Sequence, residues 1–365
     1  MHSHGPPIER HIGFWNRKAV ARPLCDFFVG GVFPLGRFRD GLGEGSLTAE
    51  MIVPEAFLEY HRDIGFLVPV RSELARSVCP FYAIPWLEAI MGCPIHVDLQ
   101  TNSIGPLPSV TALEDLERIA DAALDPRNPW LLKLLEYESV LVEAFGSMCP
   151  VSLPLMRGLT DMTGAMLGGS RMVMEFVDHP HRVERLLDIC ADVWLQTARA
   201  LLSLIRPFRG YYSNVRMVGS PEPCVVLQED NAALLSPSLF KEIVFPHDER
   251  ILSEFDYTLF HTHTSSLHIV LSPLVASPAV RGIESAWDRP PFGPPVESML
   301  SAYRRIQESE KALFILAVDC PGPVELELLK VLSPRGLAIL LEASSEREGH
   351  ILVDLLESGW ARIDG

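Results

Sequence analysis

Two histidines, His261 and His263, stand one residue apart where the apolar run Tyr257-Thr258-Leu259-Phe260 gives way to Thr264-Ser265-Ser266. Side chains at i and i+2 of an extended strand share a face, so a strand through this run aims both imidazoles into one space at its end. Imidazole is the commonest side-chain metal ligand and the natural proton shuttle near neutral pH. The pair therefore reads either as half of a metal site or as an acid–base cluster. Both uses need further polar groups, and other apolar runs end in them: Gln228-Glu229-Asp230-Asn231, Glu284-Ser285, Asp319-Cys320 and Glu342. Two histidines, one carboxylate or thiolate and an open position make a catalytic zinc site, with Cys320, Asp319, Glu284 and Glu342 as candidates for the third ligand. Thiolate suits zinc, although a lone cysteine such as Cys320 is otherwise a small buried hydrophobe. Glu229 and Asp230 are read as paired acids able to move a proton, or as a cap for the helix that starts near Pro237. His268 is read as a packing or surface residue of the following helix.

These groups meet only if the elements behind them form one scaffold. Eight apolar runs of strand length recur: Pro23–Val29, Gly65–Val70, Cys149–Leu155, Cys224–Leu227, Tyr257–Phe260, Val280–Ile283, Ala312–Val318 and Leu337–Leu341. Several are nearly continuous in apolar residues, the pattern of parallel strands buried on both faces. Between many of them lie stretches with helical periodicity, at Leu131–Phe145, Pro180–Ser203, Ser238–Phe255, Pro295–Glu308 and Pro323–Lys330. Asp178-His179-Pro180 and Leu235-Ser236-Pro237 read as helix starts, the latter with Ser236 as N-cap. Strands alternating with helices predict an α/β protein of the (β/α)8 TIM-barrel type, whose sites lie at the C-terminal ends of the strands. The rival, an open doubly wound sheet binding a dinucleotide, wants GxGxxG in its first strand-to-helix turn. Gly30-Gly31-Val32-Phe33-Pro34-Leu35-Gly36 does not supply that spacing. Asp98–Gly105 is read as an insertion after the second strand.

Composition excludes several other classes. The 365 residues carry a formal net charge of -16 and no basic run, so nucleic-acid binding is not expected. No apolar stretch approaches the roughly 20 residues that span a bilayer. Seven scattered cysteines form no CxxC pair, which reads as a reduced protein. The segment Met1-His2-Ser3-His4-Gly5-Pro6-Pro7 lacks a signal-peptide pattern. A cytoplasmic location is the expectation.

The segment from Leu227 to Pro246 has an acidic strand end, then Leu235-Ser236-Pro237, Phe240, and Phe245-Pro246. In this it resembles the uroporphyrinogen decarboxylase superfamily. Pro85-Trp86-Leu87-Glu88-Ala89-Ile90-Met91-Gly92 is similar to the family's Pro-x-Glu-Ala-x-Gly segment. Arg157-Gly158-Leu159-Thr160-Asp161-Met162 and Phe176-Val177-Asp178-His179-Pro180 resemble two of its turns. The resemblance runs from about Arg22 to Leu356. It implies a single barrel domain over residues 22–365, with 1–21 as an N-terminal extension.

The superfamily's porphyrin decarboxylases hold substrate carboxylates with an arginine-rich segment near the first strand. Here that region reads Asp26-Phe27-Phe28-Val29-Gly30-Gly31, and Tyr82-Ala83 stands where the family has an aspartate. A pocket for an octa-acid without those arginines would bury uncompensated charge. The other branch, cobalamin-linked methyltransferases, carries zinc on a His-x-Cys at the fifth strand end plus a later cysteine. His261-Thr262-His263 matches that position, with His263 in place of the first cysteine; the later position reads Glu342-Ala343-Ser344-Ser345-Glu346. The resemblance thus implies a metal site of His261 and His263 with Cys320 or Glu342, and small-molecule contacts from Tyr82, Asp161 and Glu284. The expected function is a zinc-dependent methyltransferase, moving a methyl group between a corrinoid carried by a partner protein and a thiol or other small acceptor. Glu229, Asp230, His261 and His263 are its expected catalytic groups. The alternatives are a metal-free decarboxylase in tetrapyrrole metabolism and a non-catalytic barrel partner of a corrinoid protein.

Overall fold

The structure is a computed structural model, described here for residues 8–29, 42–63, 70–71, 73–101, 103–109, 113–318 and 321–360. Strands are numbered in chain order: β1 (Leu24–Val29), β2 (Gly45–Leu47), β3 (Ile95–Asp98), β4 (Ser103–Pro106), β5 (Met156–Arg157), β6 (Tyr212–Ser213), β7 (Gly219–Ser220), β8 (Cys224–Gln228), β9 (Tyr257–His263), β10 (Gly282–Trp287), β11 (Ala312–Ala317) and β12 (Leu337–Ala343). Seven of them form one sheet in the order β1-β12-β11-β10-β9-β8-β5, and every pairing in it is parallel. Parallel neighbours need a crossover, and from β8 onward each crossover is helical: residues 237–252, Leu267–Ala276, Val296–Glu308 and Pro323–Leu329. Ser236 opens the first of these, its Oγ accepting from Leu239 N at 3.2 Å as the sequence predicted.

Side-chain alternation divides the sheet into two cores. Phe27, Leu227, Phe260, Ile283, Ile315 and Leu341 face the helices and belong to the larger apolar cluster. Leu24, Val226, Leu259, Phe314, Ala338 and Leu340 face the other way, into a separate cluster. Outside the sheet that inner cluster draws on Phe14 and Trp15 of the helix Ile8–Trp15, on Leu74, Cys79 and Tyr82, and on Val215, Met217 and Val218 of the β6–β7 hairpin. The N-terminal helix is thus part of the core. Trp15 Nε1 donates to Gly219 O at 2.9 Å, and His11 joins Gly219 N (3.1 Å) to Glu73 O (2.9 Å). No helix among the described residues is long and apolar enough to cross a membrane.

Several predicted strands differ, one of them β10, which spans Gly282–Trp287 where Val280–Ile283 was expected. Over Cys149–Leu155 only Val151 pairs, with Val78, and the strand proper is the two-residue β5 that follows. Pro150 and Pro154 interrupt the run, and proline brings no N–H to a ladder. Of Gly65–Val70 only Val70 lies within the described residues; its N–H donates to Phe27 O of β1 at 3.0 Å. Val70 thus lies beside β1, one edge strand of the seven-stranded sheet. Asp98–Gly105 falls in a β3–β4 hairpin of a small antiparallel sheet with β2.

Candidate functional site

Register fixes the centre. Gln228 of β8 pairs with His261 of β9, which pairs with Glu284 of β10; His263 pairs with Ala286 one step further toward the C-terminal end. The strand β9 continues through His263 instead of ending at Phe260, so regular alternation puts both imidazoles on the inner face. Their rings stand 5.2 Å apart and perpendicular. Asp230, just past β8, completes the group: its Oδ1 lies 3.7 Å from His261 Nε2 and 3.6 Å from His263 Nε2. Gln228 Nε2 donates to the other oxygen, Oδ2.

The Nδ1 atoms face away from Asp230, and each meets a carboxylate. His263 Nδ1 donates to Asp288 Oδ1 at 2.7 Å, and Asp288 Oδ2 accepts from Ser265 Oγ at 2.7 Å. Burial depresses the His263 imidazole, but the hydrogen bond to Asp288 and the charges of Asp230 and Asp288 outweigh it and leave its pKa raised. Burial likewise raises Asp288, and the bond from His263 brings it below the usual carboxylate range. His261 Nδ1 lies 2.8 Å from Oε1 of the fully buried Glu284, whose Oε2 accepts from Arg216 Nε at 2.8 Å. Burial raises Glu284, yet the Arg216 guanidinium and His261 overcome it and hold the carboxyl down at about 2.

This arrangement fits a divalent metal ion. Ligand atoms of a tetrahedral zinc site, with bonds of about 2.0–2.1 Å, stand roughly 3.3 Å apart, a few tenths of an ångström less than the separations here. Asp230 Oδ1 is buried and accepts no hydrogen bond although two imidazoles face it. Carboxylates on the second nitrogen of metal-binding histidines are the usual outer support, fixing ring orientation and basicity. Three carboxylates against one guanidinium also give the surroundings a net negative charge that offsets a dication. Asp230, His261 and His263 are the metal-binding-type trio found among the described residues.

The other sequence candidates go elsewhere. Glu229 points to the opposite side of the chain from Asp230: it accepts from the backbone N–H groups of Leu159 and Thr160 (the latter at 2.9 Å) and from Thr160 Oγ1. It caps the helix Leu159–Leu167, not the one after Pro237, and is not brought to the histidines. Asp161 is not brought to them either. It answers in kind, its Oδ1 accepting from Asn231 N at 2.8 Å and its Oδ2 from Asp230 N at 3.3 Å. It holds the turn that carries Asp230. Glu342, expected as third metal ligand, is on β12 opposite Phe28 and outside the trio; Asp230 takes that place, because it follows β8, the immediate neighbour of β9. Cys320 and Asp319 lie outside the described residues. Tyr82 is buried in the inner cluster. His268 is exposed in the first turn of Leu267–Ala276. Two contributors escaped the sequence reading. Asp288 was within reach, since Glu284, Ala286 and Asp288 keep the two-residue period once β10 is extended to Trp287. Arg216 had no sequence signal, being delivered by a hairpin.

No family model matches the chain, and no curated protein does. Among solved structures it is similar to a methyltransferase from Methanosarcina mazei, with a TM-score of 0.62 and 16% identity over 99% of this chain and 100% of that one. At that identity the likeness is one of fold, shared along the whole length.

Proposed function

We propose that this chain is a zinc-dependent methyltransferase on a closed (β/α)8 barrel of the uroporphyrinogen decarboxylase type. Its barrel spans residues 22–365, with the helix Ile8–Trp15 of the N-terminal extension packed into the core, and it works in the cytoplasm. Asp230, His261 and His263 hold the ion, leaving a position for substrate. A bound zinc ion supplies the charge that lets a coordinated thiol lose its proton at neutral pH. The chain's own residues prepare the site: Asp288 and Glu284 orient the two rings, Arg216 keeps Glu284 ionised, and Asp161 fixes the backbone of Asp230. The methyl group passes between a small thiol and a corrinoid carried by a partner protein, in line with the sequence resemblance and with the fold shared with a methyltransferase.

The observation that carries this reading is the bare Asp230 Oδ1 facing two Nε2 atoms at 3.7 and 3.6 Å. Its test is the zinc content of the purified protein together with methyl transfer from methylcobalamin to a small thiol. Stoichiometric zinc and transfer, both lost in the double variant His261→Ala/His263→Ala, are expected; unchanged metal content in that variant removes the reading. A metal-free decarboxylase is favoured by one contact, the hydrogen bond from Arg216 Nη2 to His261 Nδ1 at 3.1 Å. It leaves Nε2 as an N–H able to donate a proton, and chelator-resistant activity in metal-free protein would select it.

A further inference from the structure

The row of side chains that crosses the site does not end at Gln228. Arg157 of β5 pairs with Gln228 of β8, so Arg157, Gln228, His261 and Glu284 lie side by side on four neighbouring strands. Leu155 packs against the inner cluster and Met156 belongs to the helix-side cluster. The same alternation carries Arg157 inward. With about 4.8 Å between neighbouring strands, the backbones at Arg157 and His261 stand roughly 10 Å apart.

One side of this guanidinium is held. Its Nη1 lies 3.3 Å from Oε1 of Glu88, on the helix Trp86–Ile90. Access to the two partners differs: the Glu88 side chain is 1% exposed and that of Arg157 is 34% exposed. Glu88 is the ion-pair partner of Arg157 among the described residues. The charges of Asp161 and Asp230 also act on Arg157. Asp161, however, has its oxygens engaged by the backbone N–H groups of Asp230 and Asn231, and Asp230 Oδ1 faces the histidines. A guanidinium carries five N–H donors in a planar fork. The buried carboxylate thus fixes Arg157 from the protein side and leaves donors open on the accessible side. Arg216, the other arginine beside this row, is 3% exposed and already committed to Glu284.

We propose that Arg157 binds a carboxylate of the substrate, and that the small molecule taken by this site is a short carboxylic acid whose opposite end meets Asp230, His261 and His263. The guanidinium fork matches the two oxygens of a carboxylate, whereas a neutral molecule of equal length leaves those donors to water. With a thiol at the opposite end the substrate is a mercapto acid. The part of this proposal that joins the acid to the trio rests on the site reading given above; the binding of a carboxylate by Arg157 does not.

Calorimetric titration of the zinc-loaded, full-length protein with mercaptopropionate and with the neutral mercaptopropanol of the same length tests the proposal. The acid should bind about 10- to 100-fold more tightly, as a hydrogen bond to a charged group contributes. Arg157→Met alone strands the buried Glu88 charge and can fail to fold. The deciding variant is therefore Arg157→Met/Glu88→Gln, which should bind the two thiols alike, whereas Glu88→Gln alone keeps the arginine and should keep the preference. Equal affinities in the unaltered protein, or a preference that survives in the double variant, overturn the proposal. Propionate titrated into chelator-treated protein, followed at the Arg157 Nε–H resonance by nitrogen-15 NMR, reads the arginine without the ion. A saturable shift supports the carboxylate site and no shift contradicts it. A saturable shift in protein whose affinity for both thiols is unchanged by zinc supports the Arg157 assignment and contradicts the metal site.

Discussion

Glu284 and Glu229 are the same residue type, both wholly buried, one on β10 and the other just past the end of β8, yet they end in opposite electrostatic states. Burial pushes both carboxyls toward the neutral form. At Glu284 a guanidinium and an imidazole more than reverse the push, to about 2. At Glu229 the hydrogen bonds from Thr160 and Leu159 only moderate it, and burial leaves the carboxyl raised at about 7; the neighbouring acids Asp161 and Asp248 are raised too, by burial first and then by nearby carboxylates, Glu229 among them. Burial sets the stakes and the partner decides the charge. The first glutamate faces inward on a strand and keeps a full charge under a histidine that can bind an ion. The second has just left its strand on the helix side and spends its oxygens closing a helix N-terminus.

The comparison can be broken most forcefully at Arg216. Arg216→Met strips the buried Glu284 carboxylate of its guanidinium and leaves only His261 beside it, and should cost about 3–5 kcal/mol in urea unfolding. The double change Arg216→Met/Glu284→Met should recover most of it, and a single-variant loss below about 1 kcal/mol would mean that the pair is not buried as described. The Glu229 side is tested next through Gly158. A Cβ there would meet Gln228 O at 2.0 Å and Glu229 Oε1 at 2.1 Å, so Gly158→Ala should cost about 1–3 kcal/mol by overpacking. An unaffected variant would show that the helix does not approach the 228–231 turn this closely. The smallest effect is pH-dependent. An acid raised in the folded state keeps its proton while the unfolded chain releases its own, so stability falls as pH rises from about 4.3, where unfolded glutamate titrates, toward about 7. Asp248→Asn removes one acid from the cluster and should gain about 1 kcal/mol at pH 8 and nothing at pH 4. A gain equal at both pH values would rule out carboxylate crowding as its cause.

How far the sequence could be read follows the same divide. Strands β8, β11 and β12 were legible because each is an almost uninterrupted apolar run, and the histidines were legible because strand periodicity places i and i+2 together; β10 was legible only at Gly282 and Ile283, because Glu284 and Ser285 interrupt its apolar pattern. The direction of Glu229 was not, since neighbouring acids at a strand end turn to opposite sides as the chain leaves the sheet, and one-residue bookkeeping there is lost. Asp161 was expected to touch substrate and instead holds Asp230 through backbone N–H groups, a tie between segments 69 and 70 residues apart that no local pattern encodes. Arg216 was hidden for the same reason: it reaches Glu284 across 68 residues, from a hairpin too short to register as strands. The run Cys149–Leu155 misled because its hydrophobicity was right while its prolines denied it a ladder.

The central claim is that Asp230, His261 and His263 bind one metal ion. Anomalous diffraction above and below the zinc absorption edge, from crystals grown with zinc, tests it most directly. The expected result is a zinc peak about 2.0–2.2 Å from both Nε2 atoms and Asp230 Oδ1. Density at that point without an anomalous signal, or zinc bound only elsewhere, would contradict it.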